Sequence, residues 1–175
     1  VPNFQNKLFV GIKYGVDGKH VAMSIATKVD EKIFVESIDC QSVRNGNTWI
    51  ISFLKEADIE KVVIDGSGSQ QILSDEIKDY GIKLKPVLPK VSDVVVANNM
   101  FEQAVTSSKN ICHNDQPSLK QIVTNCKRRA IGTNGGFGFK AMMEEHEIAL
   151  LDSVILAHWA CATYKGVKKK QKISC

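Results

Sequence analysis

Two carboxylates stand out in this chain because of what surrounds them. Asp65 closes the apolar run Val62-Val63-Ile64 and is followed by Gly66-Ser67-Gly68-Ser69. A short continuous apolar run reads as a strand buried on both faces, and ligands of open α/β sheets bind at the carboxyl ends of such strands. The glycines leave room for a ligand to approach the main chain. An Asx-type turn or a helix-start acid is the plainer reading of the same residue. Asp152 interrupts the run Ile148 to Ala162, IALLDSVILAHWACA, which is apolar almost all round and therefore reads as a helix buried on most of its surface. A carboxylate there needs a cation or a set of donors, and a nearby Lys or a capping role would also satisfy it. Carboxylate oxygens are hard ligands suited to Mg²⁺ or Mn²⁺. A third acid, Asp17, sits in Gly15-Val16-Asp17-Gly18, where Asp-Gly hairpin chemistry accounts for it.

Other chemistries find less support. Gly66-Ser67-Gly68 lacks the third glycine of a dinucleotide fingerprint and the lysine of a phosphate loop. Ser67 and Ser69 are not in a G-x-S-x-G elbow. His113, His146 and His158 have no zinc spacing, and Cys40, Cys112, Cys126, Cys161 and Cys175 form no C-x-x-C pair, which suits a reducing compartment. Glu144, Glu145 and Glu147 read as an acidic first turn facing the helix dipole. Lys127-Arg128-Arg129 has two readings, a helix end complementing the dipole or a set of phosphate contacts.

The elements that must position these residues follow from periodicity. Strands are expected at Leu8 to Ile12, His20 to Ala26 and Ile33 to Ile38, joined by turns at Asp17-Gly18 and at Asp30-Glu31-Lys32. Turns this short force an antiparallel meander. Trp49, Ile50, Phe53 and Leu54 form a helical stripe capped by Asn47 or Thr48; then come the strand ending at Asp65 and a helix from about Gln70 to Tyr80. Leu84 to Leu88 reads as a further central strand, and Ser92-Asp93 as the cap of a helix running to about Thr106. Helices from Pro117-Ser118 and from about Glu147 to Tyr164 flank a glycine-rich stretch, Gly132 to Gly138. The expected fold is α/β, a mixed sheet of an antiparallel three-strand meander plus parallel strands, with helices on both faces.

The 175 residues are 43 % apolar and 24 % charged, enough for one real core and against wholesale disorder. No stretch reaches the roughly 20 apolar residues of a membrane span. The net charge of +4 resides entirely in residues 166–175, which hold four lysines, Lys168, Lys169 and Lys170 among them, and no acid. This end reads as a basic tail, solvated or in contact with nucleic acid, after a domain spanning 1–165. The start, Val1-Pro2-Asn3-Phe4, reads as a cut from a longer chain.

Taken together, the meander, the Val62-Val63-Ile64-Asp65-Gly66 strand end, the helix entry Gly46-Asn47-Thr48-Trp49, the segment His113-Asn114-Asp115-Gln116-Pro117-Ser118-Leu119 and the late helix with Asp152 before Ala157-His158-Trp159-Ala160 resemble the nuclease domain of tailed-phage large terminase subunits. The resemblance covers about residues 8–164 and implies a ribonuclease H-like fold. It implies a metal-dependent endonuclease that cuts concatemeric double-stranded DNA with two Mg²⁺ or Mn²⁺ ions held by acids on the first strand, the fourth strand and the last helix. Asp65 and Asp152 match the second and third of these acids. The first position holds Lys13, in Val10-Gly11-Ile12-Lys13-Tyr14, and Asp17 would serve only if the turn folded back over the sheet end. Lys127, Arg128, Arg129 and Lys168 to Lys170 become the expected DNA contacts. The implied partners are DNA, an ATPase domain, the small terminase subunit and the portal protein, in the cytoplasm of a bacterial host. Lys13 also supports a second reading, a nucleic-acid-binding or assembly module on the same fold with its nuclease lost. A third, a nucleotide-binding fold of the actin and sugar-kinase kind, would want a glycine-rich phosphate loop after the first strand, and Gly15-Val16-Asp17-Gly18 is a poor one.

Overall fold

The computed structural model describes residues 7–105, 111–113 and 145–165. Strands β1 (Leu8–Tyr14), β2 (His20–Val29) and β3 (Lys32–Ser42) form the expected antiparallel meander, each longer than its alternating core. Both turns use left-handed backbone, Gly18 at φ 68° and Asp30 at φ 56°. Those are the residue types that reach this region at least cost. Helix α1 (Thr48–Glu56) then leads into β4 (Ile59–Asp65), which returns parallel to β1. Helix α2 (Ser69–Asp79), helix α3 (Val91–Gln103), strand β5 (Ile111–His113) and helix α4 (Glu145–Thr163) follow. The sheet order is β4-β1-β2-β3-β5, with β5 parallel to β3.

This is the expected α/β arrangement of ribonuclease H-like type, a meander with a parallel strand beside β1. One element differs. Leu84 to Leu88 does not form a strand; Val87 alone bridges to Val63, through Val87 N–H to the Val62 carbonyl and Ile64 N–H to the Val87 carbonyl, both 2.9 Å. Pro89, the next residue in phase with Val87, lacks the N–H that would donate onward to β4, which stops the pairing there. Helix α3 also starts earlier than Ser92-Asp93, because the Asp93 carboxylate accepts the Lys90 N–H at 2.9 Å and makes Lys90 the cap. The helix expected from Pro117-Ser118, the Lys127-Arg128-Arg129 cluster, Gly132 to Gly138 and the tail with Lys168, Lys169 and Lys170 lie outside the described residues.

Period-two alternation in the strands sorts side chains into two cores. Val10, Ile12, Val21, Met23 and Ile25 pack with Ile50, Leu54, Leu73 and Ile77 of α1 and α2. On the opposite face Phe9, Ala26, Val35 and Val63 pack with Phe101 of α3 and with Leu151, Val154, Ile155 and Ala157 of α4. Each fully buried Ile, Leu or Phe contributes about 1.5–3 kcal/mol, so α4, buried on most of its surface as its sequence suggests, is a main anchor of this face. It seats so closely on β1 that Gly11 faces the α4 backbone directly. Next to that contact the Ser153 hydroxyl donates to the Leu150 carbonyl at 2.7 Å, leaving its oxygen to accept from Ser24 at 2.6 Å. Two buried hydroxyls are thereby satisfied.

Candidate functional site

Strands β1 and β4 run side by side, and their register sets Lys13 opposite Asp65. Lys13 shares the face of Phe9 and Gly11, and Asp65 that of Val63, so both side chains emerge on the α4 side at the carboxyl end of the sheet. The Lys13 Nζ lies 2.6 Å from Asp65 Oδ2, with the two side chains only 14 % and 20 % exposed. A charge-assisted contact this short, shielded from water, is a firm ion pair. Beyond Asp65 the chain can turn toward α2 because Gly66 adopts φ 144° and lacks a Cβ, which would stand 2.5 Å from the Tyr14 Cβ.

Asp152 lies on the half of α4 that extends toward this end of the sheet. Tyr164, just past its last turn, packs edge-on against Phe9 with ring centroids 5.1 Å apart and donates its hydroxyl to Glu60, at the opposite end of the sheet. The middle of the helix crosses Gly11, so its first half extends over the end that holds Lys13 and Asp65. Trp159 leans toward β4, its ring 6.0 Å from Lys61 Nζ. Asp152 lies two turns earlier on the same stripe, about 10 Å back along the axis, while Asp65 lies four residues, about 13 Å, on from Lys61. Asp152, half-buried, therefore lies on the stripe of α4 that faces β4.

Asp17 is tied into its own turn. Its Oδ1 accepts the Lys19 N–H at 2.9 Å and its Oδ2 pairs with His20 Nδ1 at 2.9 Å, which is the turn role. The Lys19 N–H first, and then His20, hold its carboxyl below the usual range. Asp17 also helps, after burial and Asp39, to push the Cys40 thiol up to about 11, which places it on the β2–β3 side. Lys13 and Asp65 line a cleft of about 260 Å³ with Gly15, Val16 and Gly18 of that hairpin and with Gly66, Ser67 and Ser69.

A polar network braces the corner from the other face. The Tyr14 hydroxyl donates to Asn47 Oδ1 at 2.7 Å, and Asn47 Nδ2 reaches both oxygens of Glu76 at 3.3 Å. Burial first, then Glu76, raises the Tyr14 phenol above its usual range. The residue after Lys13 is thus tied to the start of α1 and to α2. Sequence reading marked Asn47 only as a cap and missed Tyr14 and Glu76, because their pairing depends on tertiary placement.

The donor set can be compared with the two Mg²⁺ or Mn²⁺ ions expected from the sequence resemblance. Among the described residues no group of three His, Cys, Asp or Glu side chains is arranged to hold an ion. At the first-strand position expected to hold an acid stands the Lys13 ammonium, which has no lone pair to donate. Asp65 is held by that ammonium, and the described carboxylates do not make up a two-ion set. His158 lies apart, buried against Phe101 with ring centroids 5.4 Å apart, and burial lowers its pKa to about 4. No helix among the described residues is long and apolar enough to cross a membrane.

No family model and no curated protein matches the chain. Among solved structures it is similar to the large terminase of a thermophilic bacteriophage in complex with ADP, at 16 % identity and TM-score 0.48 over 70 % of this chain and 32 % of that one. A second crystal form of that terminase gives 16 % identity and TM-score 0.47 over the same shares. The nuclease domain of the bacteriophage SPP1 large terminase (g2p), with bound Mn, is similar at 14 % identity and TM-score 0.42, over 69 % of this chain and 68 % of that one. The chain spans about a third of the length of the thermophilic phage terminase it matches.

Proposed function

We propose that the chain is the nuclease module of a phage-terminase-like large subunit and hydrolyses phosphodiesters of double-stranded DNA at the corner formed by Asp65, Asp152 and Lys13. The observation that carries this reading is the placement of Asp65, at the carboxyl end of β4, on the side covered by the half of α4 that bears Asp152. In this reading the two carboxylates hold Mg²⁺ or Mn²⁺, and a bound ion supplies Lewis-acid activation of water and charge stabilisation on the departing oxygen. Lys13 binds a non-bridging phosphate oxygen as a point charge. The cleft walls at Gly15 and Gly66 let the DNA backbone come close, and Asp17 keeps the turn. Lys127, Arg128, Arg129 and Lys168 to Lys170 supply nonspecific phosphate contacts. The partners that go with this reading are an ATPase domain, the small terminase subunit and the portal protein, in the cytoplasm of a bacterial host.

A second reading, a DNA-binding or assembly module that has lost its nuclease, is favoured by the Lys13–Asp65 ion pair itself. Nicking of supercoiled plasmid in Mn²⁺ separates the two. Nicking that disappears with Asp65→Asn and with Asp152→Asn supports the first, and binding without nicking the second.

A further inference from the structure

The hairpin between β1 and β2 stands at the mouth of the cleft and carries an exposed basic face. Main-chain bonds set its shape: the Gly15 N–H donates to the His20 carbonyl at 2.8 Å and the Gly18 N–H to the Gly15 carbonyl at 3.0 Å. The Val43 N–H donates to the Lys19 carbonyl at 2.9 Å, tying the hairpin to the 3₁₀ turn Val43–Asn45. Lys19 and Arg44, both exposed, are thereby brought together beside the cleft that Val16, Gly18 and Val43 line with Lys13. The acids of this face are already engaged. Asp17 accepts the Lys19 N–H and pairs with His20, and Asp65 pairs with Lys13. Lys19 and Arg44 are in no ion pair with a described residue, so the face carries an excess of positive charge. Val16, at the tip, is 84 % exposed, an apolar side chain where turn chemistry favours a polar one.

We propose that Lys19, Arg44 and Val16 form a docking surface for duplex DNA that works without a metal ion. Lys19 and Arg44 each neutralise a backbone phosphate, which positions the duplex without reading its sequence. Val16 packs against the apolar carbons of the deoxyribose units. An acidic protein would also attract the two cations. Continuity with the cleft assigned to a phosphodiester favours DNA. The inference rests on the nuclease reading for that choice alone, and it is read out without cleavage.

The test is binding of a short fluorescent duplex to the full chain, followed by anisotropy in EDTA over a range of salt concentrations. Lys19→Gln and Arg44→Gln should each weaken binding roughly fivefold at about 0.1 M salt and make the log–log salt slope shallower by about 0.9. Val16→Ser should weaken binding about threefold through lost apolar contact, with the slope unchanged. Lys32→Gln, at an exposed cation of the β2–β3 turn, should change neither. Lys19 shapes the hairpin through its main chain, so its substitution keeps those bonds; circular dichroism checks every variant, and either charge variant alone decides. Slopes unchanged in both charge variants, or an equal effect of Lys32→Gln, overturn the docking surface and leave the nuclease reading to the nicking assay. Binding that depends on Lys19 and Arg44 without plasmid nicking keeps the surface and removes the nuclease reading. A wild-type chain that does not bind duplex overturns both.

Discussion

Gly11 of β1 and Ser153 of α4 meet main chain to main chain: a Cβ on Gly11 would stand 2.2 Å from the Ser153 carbonyl oxygen and 2.5 Å from the Ala157 nitrogen. The contact sets how close α4 sits to the sheet. Backbone atoms on a buried helix cannot swing aside as a flexible side chain can. Gly11→Ala is therefore expected to lift α4 and to destabilise the domain by about 3 kcal/mol or more. Urea unfolding measures it; a midpoint within error of wild type would contradict the close seat.

Removing one member of the Lys13–Asp65 pair leaves the other charge mostly shielded and without its partner. Asp65→Asn should keep the fold and lower stability by about 1–3 kcal/mol. A double-mutant cycle with Lys13→Met isolates the pair, and a coupling under about 0.5 kcal/mol would mean that the contact is idle.

Asp152→Asn should abolish both nicking and the rise in melting temperature that Mn²⁺ gives wild type with duplex present. Asp17→Asn should nick at close to the wild-type rate, since Asp17 serves Lys19 and His20. Plasmid assays and melts on both variants check the pair of expectations; loss of nicking in Asp17→Asn alone would move the site to the hairpin.

His158 gives a pH signature. Its folded-state pKa, about 4, lies below the ordinary value of 6.5, so the unfolded chain takes up the proton first. The stability associated with keeping it neutral is complete above pH about 6.5 and is lost as pH falls toward 4, by up to about 3 kcal/mol. His158→Leu should flatten that part of the stability–pH curve. Parallel curves for variant and wild type between pH 4 and 6.5 would contradict this origin.

The tail offers a separate test on DNA affinity. Deleting residues 166–175 removes four lysines and should make the salt dependence of DNA binding shallower by up to about 3–4 units of log–log slope. An unchanged slope would mark the tail as a solvated end.

Local chemistry made much of this architecture legible. Asp17-Gly18 and Asp30 declare their turns through left-handed backbone, and Val62-Val63-Ile64 declares a strand covered on both faces. The buried character of α4 is plain from its composition. What periodicity does not carry is register. Lys13 can be read as a departure from an acidic pattern, but that its ammonium lands on Asp65 depends on the stagger of β1 against β4. Strand β5 is three residues long and pairs with β3, too short to stand out from a loop. Leu84 to Leu88 misleads in the other direction, because its apolar content suggests a strand that its prolines forbid.

Those two prolines have a consequence for how the protein behaves in concentrated solution. The outer side of β4 is covered at Val87 by a segment framed by Pro86 and Pro89, which offers no continuous row of N–H donors to another chain. A second molecule approaching this side finds no template on which to add a strand, so the sheet does not propagate from one copy to the next there. The residues that cost the domain a regular further strand at this edge thereby guard it against fibrous self-association.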